Sequence, residues 1–123
     1  MQKTTLEVDS DGVVDRAKQF VRDHINEDLS AFRVSNKIGV QRVLTFLRIF
    51  EETAGERFAD FVKGVRIKRA CELLLNAHYT ETDIALEVGF ANVTTFRRAF
   101  KKLQRESPTM YRKRITRDLQ RPD

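Results

Sequence analysis

Between positions 94 and 98 the chain places two hydroxyls and two guanidiniums, Thr94, Thr95, Arg97 and Arg98, within the stretch VTTFRRAFKKL. A hydroxyl both donates and accepts, and a guanidinium offers a planar fork that matches paired acceptors such as guanine N7 and O6. Four such groups near one end of a helix can read base edges in a major groove. Lys101, Lys102 and Arg112 follow. Cations of this kind hold phosphates, which position a duplex without specifying its sequence. A lone helical arginine is ordinarily a solvated side chain, so the case rests on the elements around these residues.

Those elements predict a helix-turn-helix over residues 80–103. Thr80 and Asp83 have the spacing of a capping box, which predicts a short helix from Thr80 to Val88. Gly89 suits the left-handed position at which that helix must stop. Asn92 is a good cap for a second helix from about Val93 to Leu103, whose apolar stripe is Val93, Phe96, Ala99, Phe100 and Leu103. The polar and cationic residues fall on the other faces.

The same pattern occurs 50 residues earlier. Without a gap, Val34 falls on Ile84, Ser35 on Ala85, Ile38 on Val88 and Gly39 on Gly89. Thr45 falls on Thr95, Phe46 on Phe96, Arg48 on Arg98 and Phe50 on Phe100. These are the small residue, the turn glycine and the core stripe that a helix-turn-helix constrains sterically, so two copies of one unit are expected. Residues 58–76 carry Phe61, Val62, Val65, Ala70, Leu73 and Leu74 at helical spacing, which predicts one helix joining the copies. Gly64 within it implies close packing or a local bend. The expected organisation is a flexible leader over 1–11, a first helix-turn-helix subdomain over 12–56, a linker helix over 57–77, a second subdomain over 78–115 and a basic tail over 116–123. Ser107 and Pro108 read as cap and first residue of a short helix that turns Met110 and Tyr111 inward.

Composition agrees with an all-α chain of about seven helices, its core supplied largely by nine Phe among 41% apolar residues. Residues 1–62 hold nine Lys and Arg against eleven Asp and Glu, whereas residues 63–123 hold fourteen against seven. A basic half within a chain of net charge +5 is an electrostatic footprint for polyanions, or simply a solvated surface. No apolar run approaches membrane-spanning length and no apolar signal core opens the chain. One cysteine excludes an internal disulfide, and with two histidines it forms no metal-ligand cluster, so no metal or cofactor is expected and a reduced cytoplasm fits best. Cys71 reads as a core filler, His24 and His78 lack acidic partners, and no nucleophile–base set or phosphate loop supports an enzyme.

The motifs resemble the DNA-binding domain of AraC/XylS-type transcription activators. The matching pieces are Arg66-Ile67, Ala70, Leu73-Leu74, Ile84-Ala85, Val88-Gly89-Phe90, Phe96 with Arg98, Phe100-Lys101-Lys102, Ser107-Pro108 and Tyr111-Arg112, and the resemblance covers roughly residues 12–115. It implies two helix-turn-helix subdomains on a long connecting helix, binding to promoter DNA and recruitment of RNA polymerase. Three departures stand out. Arg105 occupies a place where the family commonly has Gly, which Gly55 keeps in the first unit. The first unit has one residue more than usual between its turn and its final Phe. Its recognition helix, VQRVLTFLRIF, is poor in polar side chains. Leu44 and Leu47 there are either core, or contacts for thymine methyls or for a protein.

The expected base readers are therefore Thr94, Thr95, Arg97 and Arg98 in the second unit and Arg42, Thr45 and Arg48 in the first. Gln41, Lys101, Lys102 and Arg112 are the expected backbone contacts. A monomer would read two major-groove segments roughly 10 bp apart in an asymmetric site of double-stranded DNA. The alternative keeps the scaffold but uses the apolar first recognition helix mainly to bind a protein. The chain has no room for a separate effector domain, so it is either a short free-standing regulator or a piece of a longer protein.

Overall fold

The first helix begins where a carboxylate can satisfy a free amide: Asp9 accepts a hydrogen bond from the Gly12 N–H at 3.0 Å, and α1 runs Ser10–Asp23. The computed structural model describes residues 9–120, and these fold into seven helices with no strand. After α1 come α2 (Ala31–Lys37), α3 (Val43–Ala54), α4 (Phe58–Leu73), α5 (Glu81–Glu87), α6 (Val93–Gln104) and α7 (Pro108–Gln120). Most of the expected leader and the last three residues of the expected tail lie outside the described residues. Residues 116–120 belong to α7.

The 50-residue repeat holds at the level of helix boundaries. α2 and α5 start at 31 and 81, α3 and α6 at 43 and 93, and α4 and α7 at 58 and 108. It holds in the caps as well. Ser30 accepts from the Arg33 N–H at 3.2 Å, as Thr80 accepts from the Asp83 N–H at 3.0 Å.

The chain divides into two compact units, one of residues up to His24 with Asp28–Val62, the other of Ile25–Glu27 with residues from Lys63 onward. The division falls within α4. In the first unit Val13, Val14, Ala17 and Val21 of α1 are buried at helical spacing, together with Val34 of α2 and Phe46, Ile49 and Phe50 of α3. The rings of Phe46, Phe50, Phe58 and Phe61 interlock, with Phe58 edge-on to Phe46 at 5.0 Å and to Phe50 at 5.3 Å. In the second unit Ile67, Ala70, Leu73 and Leu74 of α4 pack with Ile84, Ala85, Val88, Phe90, Phe96 and Phe100. Phe100 there meets Tyr111 edge-on at 5.5 Å. No helix among the described residues is long and apolar enough to cross a membrane.

Three apolar expectations change. Leu103, assigned to the stripe of α6, is half exposed, because the stripe narrows toward the helix end. Met110 points outward, and only Tyr111 of that pair packs against the core. Gly64 does not mark a tight contact: a methyl added there would meet no atom within 4 Å.

Arg105 ends α6 in the left-handed conformation at φ 65°, where Gly55 ends α3 at φ 81°. The helix end is thus preserved without the residue that adopts it freely. Two stabilising substitutions follow. Gly64→Ala should add about 1 kcal/mol by removing backbone freedom from the unfolded chain. Arg105→Gly should add about 1 kcal/mol by relieving the left-handed strain. Denaturant melts of each variant beside the parent chain read both effects.

Candidate nucleic-acid interface

In the second unit the sequence folds locally as its caps and turn glycine dictate. Thr80 and Asp83 form the reciprocal capping box, each side chain accepting from the other residue's N–H. α5 then ends at Val88, and Gly89 turns the chain at φ 99°. The Gly89 N–H donates to the Leu86 carbonyl at 3.1 Å and the Phe90 N–H to the Ala85 carbonyl at 2.8 Å. A methyl on Gly89 would lie 2.5 Å from the Ile25 carbonyl oxygen and 2.8 Å from the Arg66 guanidinium, so both backbone angle and space demand glycine. The Asn92 side chain accepts from the Thr95 N–H at 2.8 Å and starts α6.

Burial of Phe96 and Phe100 fixes the rotation of α6. With those rings fully inside, Thr94, Thr95, Arg97, Arg98, Lys101 and Lys102 are all exposed. The structure therefore brings the four expected readers together on the open side of the helix's first turns. Arg98 has no hydrogen-bond or ion-pair partner among the described residues. Lys101 and Lys102 sit in the last turn, where cations also complement the helix dipole.

Arg97 is not free. Its Nε donates to Glu81 Oε1 at 2.7 Å, and the Thr109 hydroxyl donates to Glu81 Oε2 at 2.5 Å. One carboxylate at the start of α5 thus ties the recognition helix to α7. The Glu81 side chain is 17% exposed and that of Arg97 55%. Burial pushes the Glu81 carboxyl upward, but hydrogen bonds from Thr109 and Arg97, with the charges of Arg97 and Arg112, outweigh it and hold the group below its ordinary 4.5.

Arg112 is placed differently from the expectation of a phosphate contact. Its Nε donates to the Leu74 carbonyl at 2.8 Å, and its Nη2 to the Asn76 and Tyr79 carbonyls at 3.1 and 2.7 Å. These carbonyls follow the end of α4, where no helical partner reaches them. Arg66 does the same for the connector at 25–27, donating to the Ile25 carbonyl at 3.1 Å and the Glu27 carbonyl at 2.8 Å. Both arginines act as clamps on loop backbone.

In the first unit Gln41 and Arg42 are exposed just before α3, Arg42 standing at the cap position without a capping bond. Arg48 is exposed and pairs with Glu52 one turn on at 3.3 Å, an interaction that solvent screens. Thr45 is half-buried. Leu44 is 77% exposed and so is not core, while Leu47 is half-buried. Phe32 on α2 is 67% exposed.

Sequence reasoning missed Glu81 as the holder of Arg97, and Arg66 and Arg112 as carbonyl clamps. Their partners lie 16 to 41 residues away, so no local spacing announces them. Cys71 lies half-buried against the second core, where burial pushes its thiol upward despite a hydrogen bond with Tyr111. That suits a packing role over a reactive one.

The lowered Glu81 value has a signed consequence. Stability from this carboxylate is present above about pH 4.5 and drains away as pH falls through its lower folded value. Glu81→Gln should flatten the acid limb of the second unit's unfolding profile as pH falls below about 4.5. Equal acid sensitivity of variant and parent in denaturant melts would count against this assignment.

The helix-turn-helix domain model of the protein families matches residues 37–114. An uncharacterised HTH-type transcriptional regulator of Staphylococcus aureus is 32% identical over 103 residues, covering 84% of this chain and 14% of that protein. The chain thus spans about a seventh of the length of such relatives. The Msm operon regulatory protein of Streptococcus mutans is 26% identical over 102 residues, covering 83% of this chain and 36% of that protein. Among solved structures, the C-terminal domain of AraT, a response regulator from Geobacillus stearothermophilus, superposes with a TM-score of 0.78 at 30% identity, covering 82% of this chain and 84% of that one. The DNA-binding domain of AdpA, a global transcriptional factor solved with a target DNA, shares the fold at a TM-score of 0.80 and 21% identity, covering 88% of this chain and 97% of that one. By their names these relatives are regulators, two of them of transcription. With its paired helix-turn-helix units and this match over more than half its length, the chain belongs to the AraC-type family of helix-turn-helix domains.

Proposed function

We propose that this chain binds double-stranded DNA with sequence preference, each unit laying its recognition helix, α3 or α6, into a major-groove segment of a promoter. The observation that carries the reading is the face of α6. Its core-facing rings are fully buried, and Thr94, Thr95, Arg97 and Arg98 project together from its first turns. Arg98 is the best placed to take a guanine bidentately, because no other described residue holds its guanidinium. Arg97 reads a base or holds a phosphate with the donors that Glu81 leaves open. Gln41, Lys101 and Lys102 contact the backbone, and Arg42, Thr45 and Arg48 supply the polar readers of the first unit. Because α3 and α6 differ in sequence, a monomer reads an asymmetric site. Activation through contact with RNA polymerase belongs to the same reading and rests on the family resemblance; the target DNA solved with AdpA supports DNA binding by this fold.

A second reading takes the exposed Leu44 and Phe32 as a protein contact, the first unit then serving mainly to bind a partner. Salt dependence separates the two. A DNA reader releases counterions from each neutralised phosphate, so log K falls linearly with log salt, by about 0.9 per phosphate, while a preferred sequence survives.

The test is selection of bound duplexes from a random pool, followed by affinity measurements. Arg98→Ala should weaken the selected site by about 1–3 kcal/mol and relax preference at one position. Lys102→Ala should weaken all sequences alike and lower the salt slope by about 1. Sequence-blind binding by the parent chain would contradict the proposal.

A further inference from the structure

The two recognition helices can be compared place by place, since α3 and α6 start at 43 and 93 and both bury the paired Phe of their stripe. Thr45 and Arg48 keep the residue types of Thr95 and Arg98. Leu44, however, stands in the place of Thr94, and Leu47 in that of Arg97. Leu44 does not repay its apolar character by packing, being 77% exposed. Leu44 thus holds an apolar side chain out to water in the place of Thr94, on the helix that the DNA-binding reading lays in a groove.

We propose that Leu44 is a specificity-determining residue that reads the 5-methyl group of a thymine, so that the first unit selects a thymine where its α3 enters the groove. This rests on the DNA-binding reading given above. The chemistry of the groove narrows the choice. The major-groove edges of adenine, guanine and cytosine present hydrogen-bonding groups, and only thymine adds an apolar methyl. A leucine against the other three edges would strip water from donors and acceptors and return nothing. Against thymine it buries methyl on methyl. The surroundings favour DNA over a protein groove: Arg42, exposed and with no side-chain partner among the described residues, lies two residues before Leu44, and the exposed Arg48, paired only with the solvent-facing Glu52, lies four after it. These cations suit a polyanion flanking the contact. Leu47, half-buried beneath, backs the same side of α3 by helical spacing.

The test replaces thymine by uracil, which removes the methyl and leaves every hydrogen-bonding group in place. Duplexes are selected with the whole chain, and the half-site of α3 is located as the positions where Arg48→Ala relaxes preference. Each thymine in it is then exchanged singly for uracil. The parent chain should lose about three- to fivefold in affinity at one position, the worth of one buried methyl. Leu44→Ala should bind the thymine and uracil duplexes equally, with the salt slope of the parent. Because Leu44 is exposed, its loss leaves the core intact, and an unchanged melting curve confirms this.

A selected α3 half-site without thymine, or equal parent affinity for every uracil duplex, would overturn the proposal while leaving DNA reading by α6 standing. An unchanged uracil penalty in Leu44→Ala, with loss only of polymerase binding, would overturn it in favour of a protein-facing leucine. Absence of any sequence preference in the parent would overturn this inference and the proposed function together.

Discussion

Everything in the second unit depends on how the chain reverses at Gly89. The end of α5, the start of α6 and the connector at 25–27 converge on a residue with φ 99° and no space for a side chain. Arg66 completes the arrangement by donating to Ile25 and Glu27 carbonyls and lying against Gly89. A methyl there would meet backbone oxygen, which cannot step aside as a flexible side chain could. The turn angle is thus set by sterics, and the hydrogen bonds to Leu86 and Ala85 carbonyls follow from it. Gly39 repeats the angle at φ 92° in open space, so the first unit keeps the geometry under a weaker constraint.

Given that turn, the phenylalanine stripe decides which residues α6 shows to solvent. Phe96 and Phe100 are two of the largest fully buried side chains, and Phe→Ala at such sites typically costs about 3–5 kcal/mol. Exposed side chains on the opposite side have no comparable hold on rotation. The polar groups face out because the rings face in, and Glu81 then adds a local tether on Arg97. Packing thus positions the helix, and electrostatics adjusts one arginine upon it.

Much of this could be read from the residues alone. The capping box at Thr80 and Asp83, the turn glycine and the Asn92 cap are local devices with fixed spacing, and the helices begin and end within a residue of where these place them. The gapless 50-residue repeat was equally legible, since it compares the chain with itself. Arg112 was not. Its cationic neighbours made a phosphate contact plausible, whereas its donors serve carbonyls 33 to 38 residues away. Met110 and Leu103 misled because helical periodicity marks a face without saying how far the partner surface extends along it. Leu44 stayed ambiguous in sequence because leucine at the edge of a stripe suits either side; only its exposure separates them.

The central claim is that the proposed DNA contact is made, in each unit by itself, by the outward face of its recognition helix, α6 or α3, turned out by the buried rings. Amide chemical-shift mapping of the isotope-labelled chain, titrated with its selected duplex, tests this most directly. The account predicts the largest changes across residues 92–98 and 41–48, with smaller ones at Lys101 and Lys102. Changes gathered instead on α1 or on the outer face of α7, with the first turns of α6 and α3 undisturbed, would contradict it.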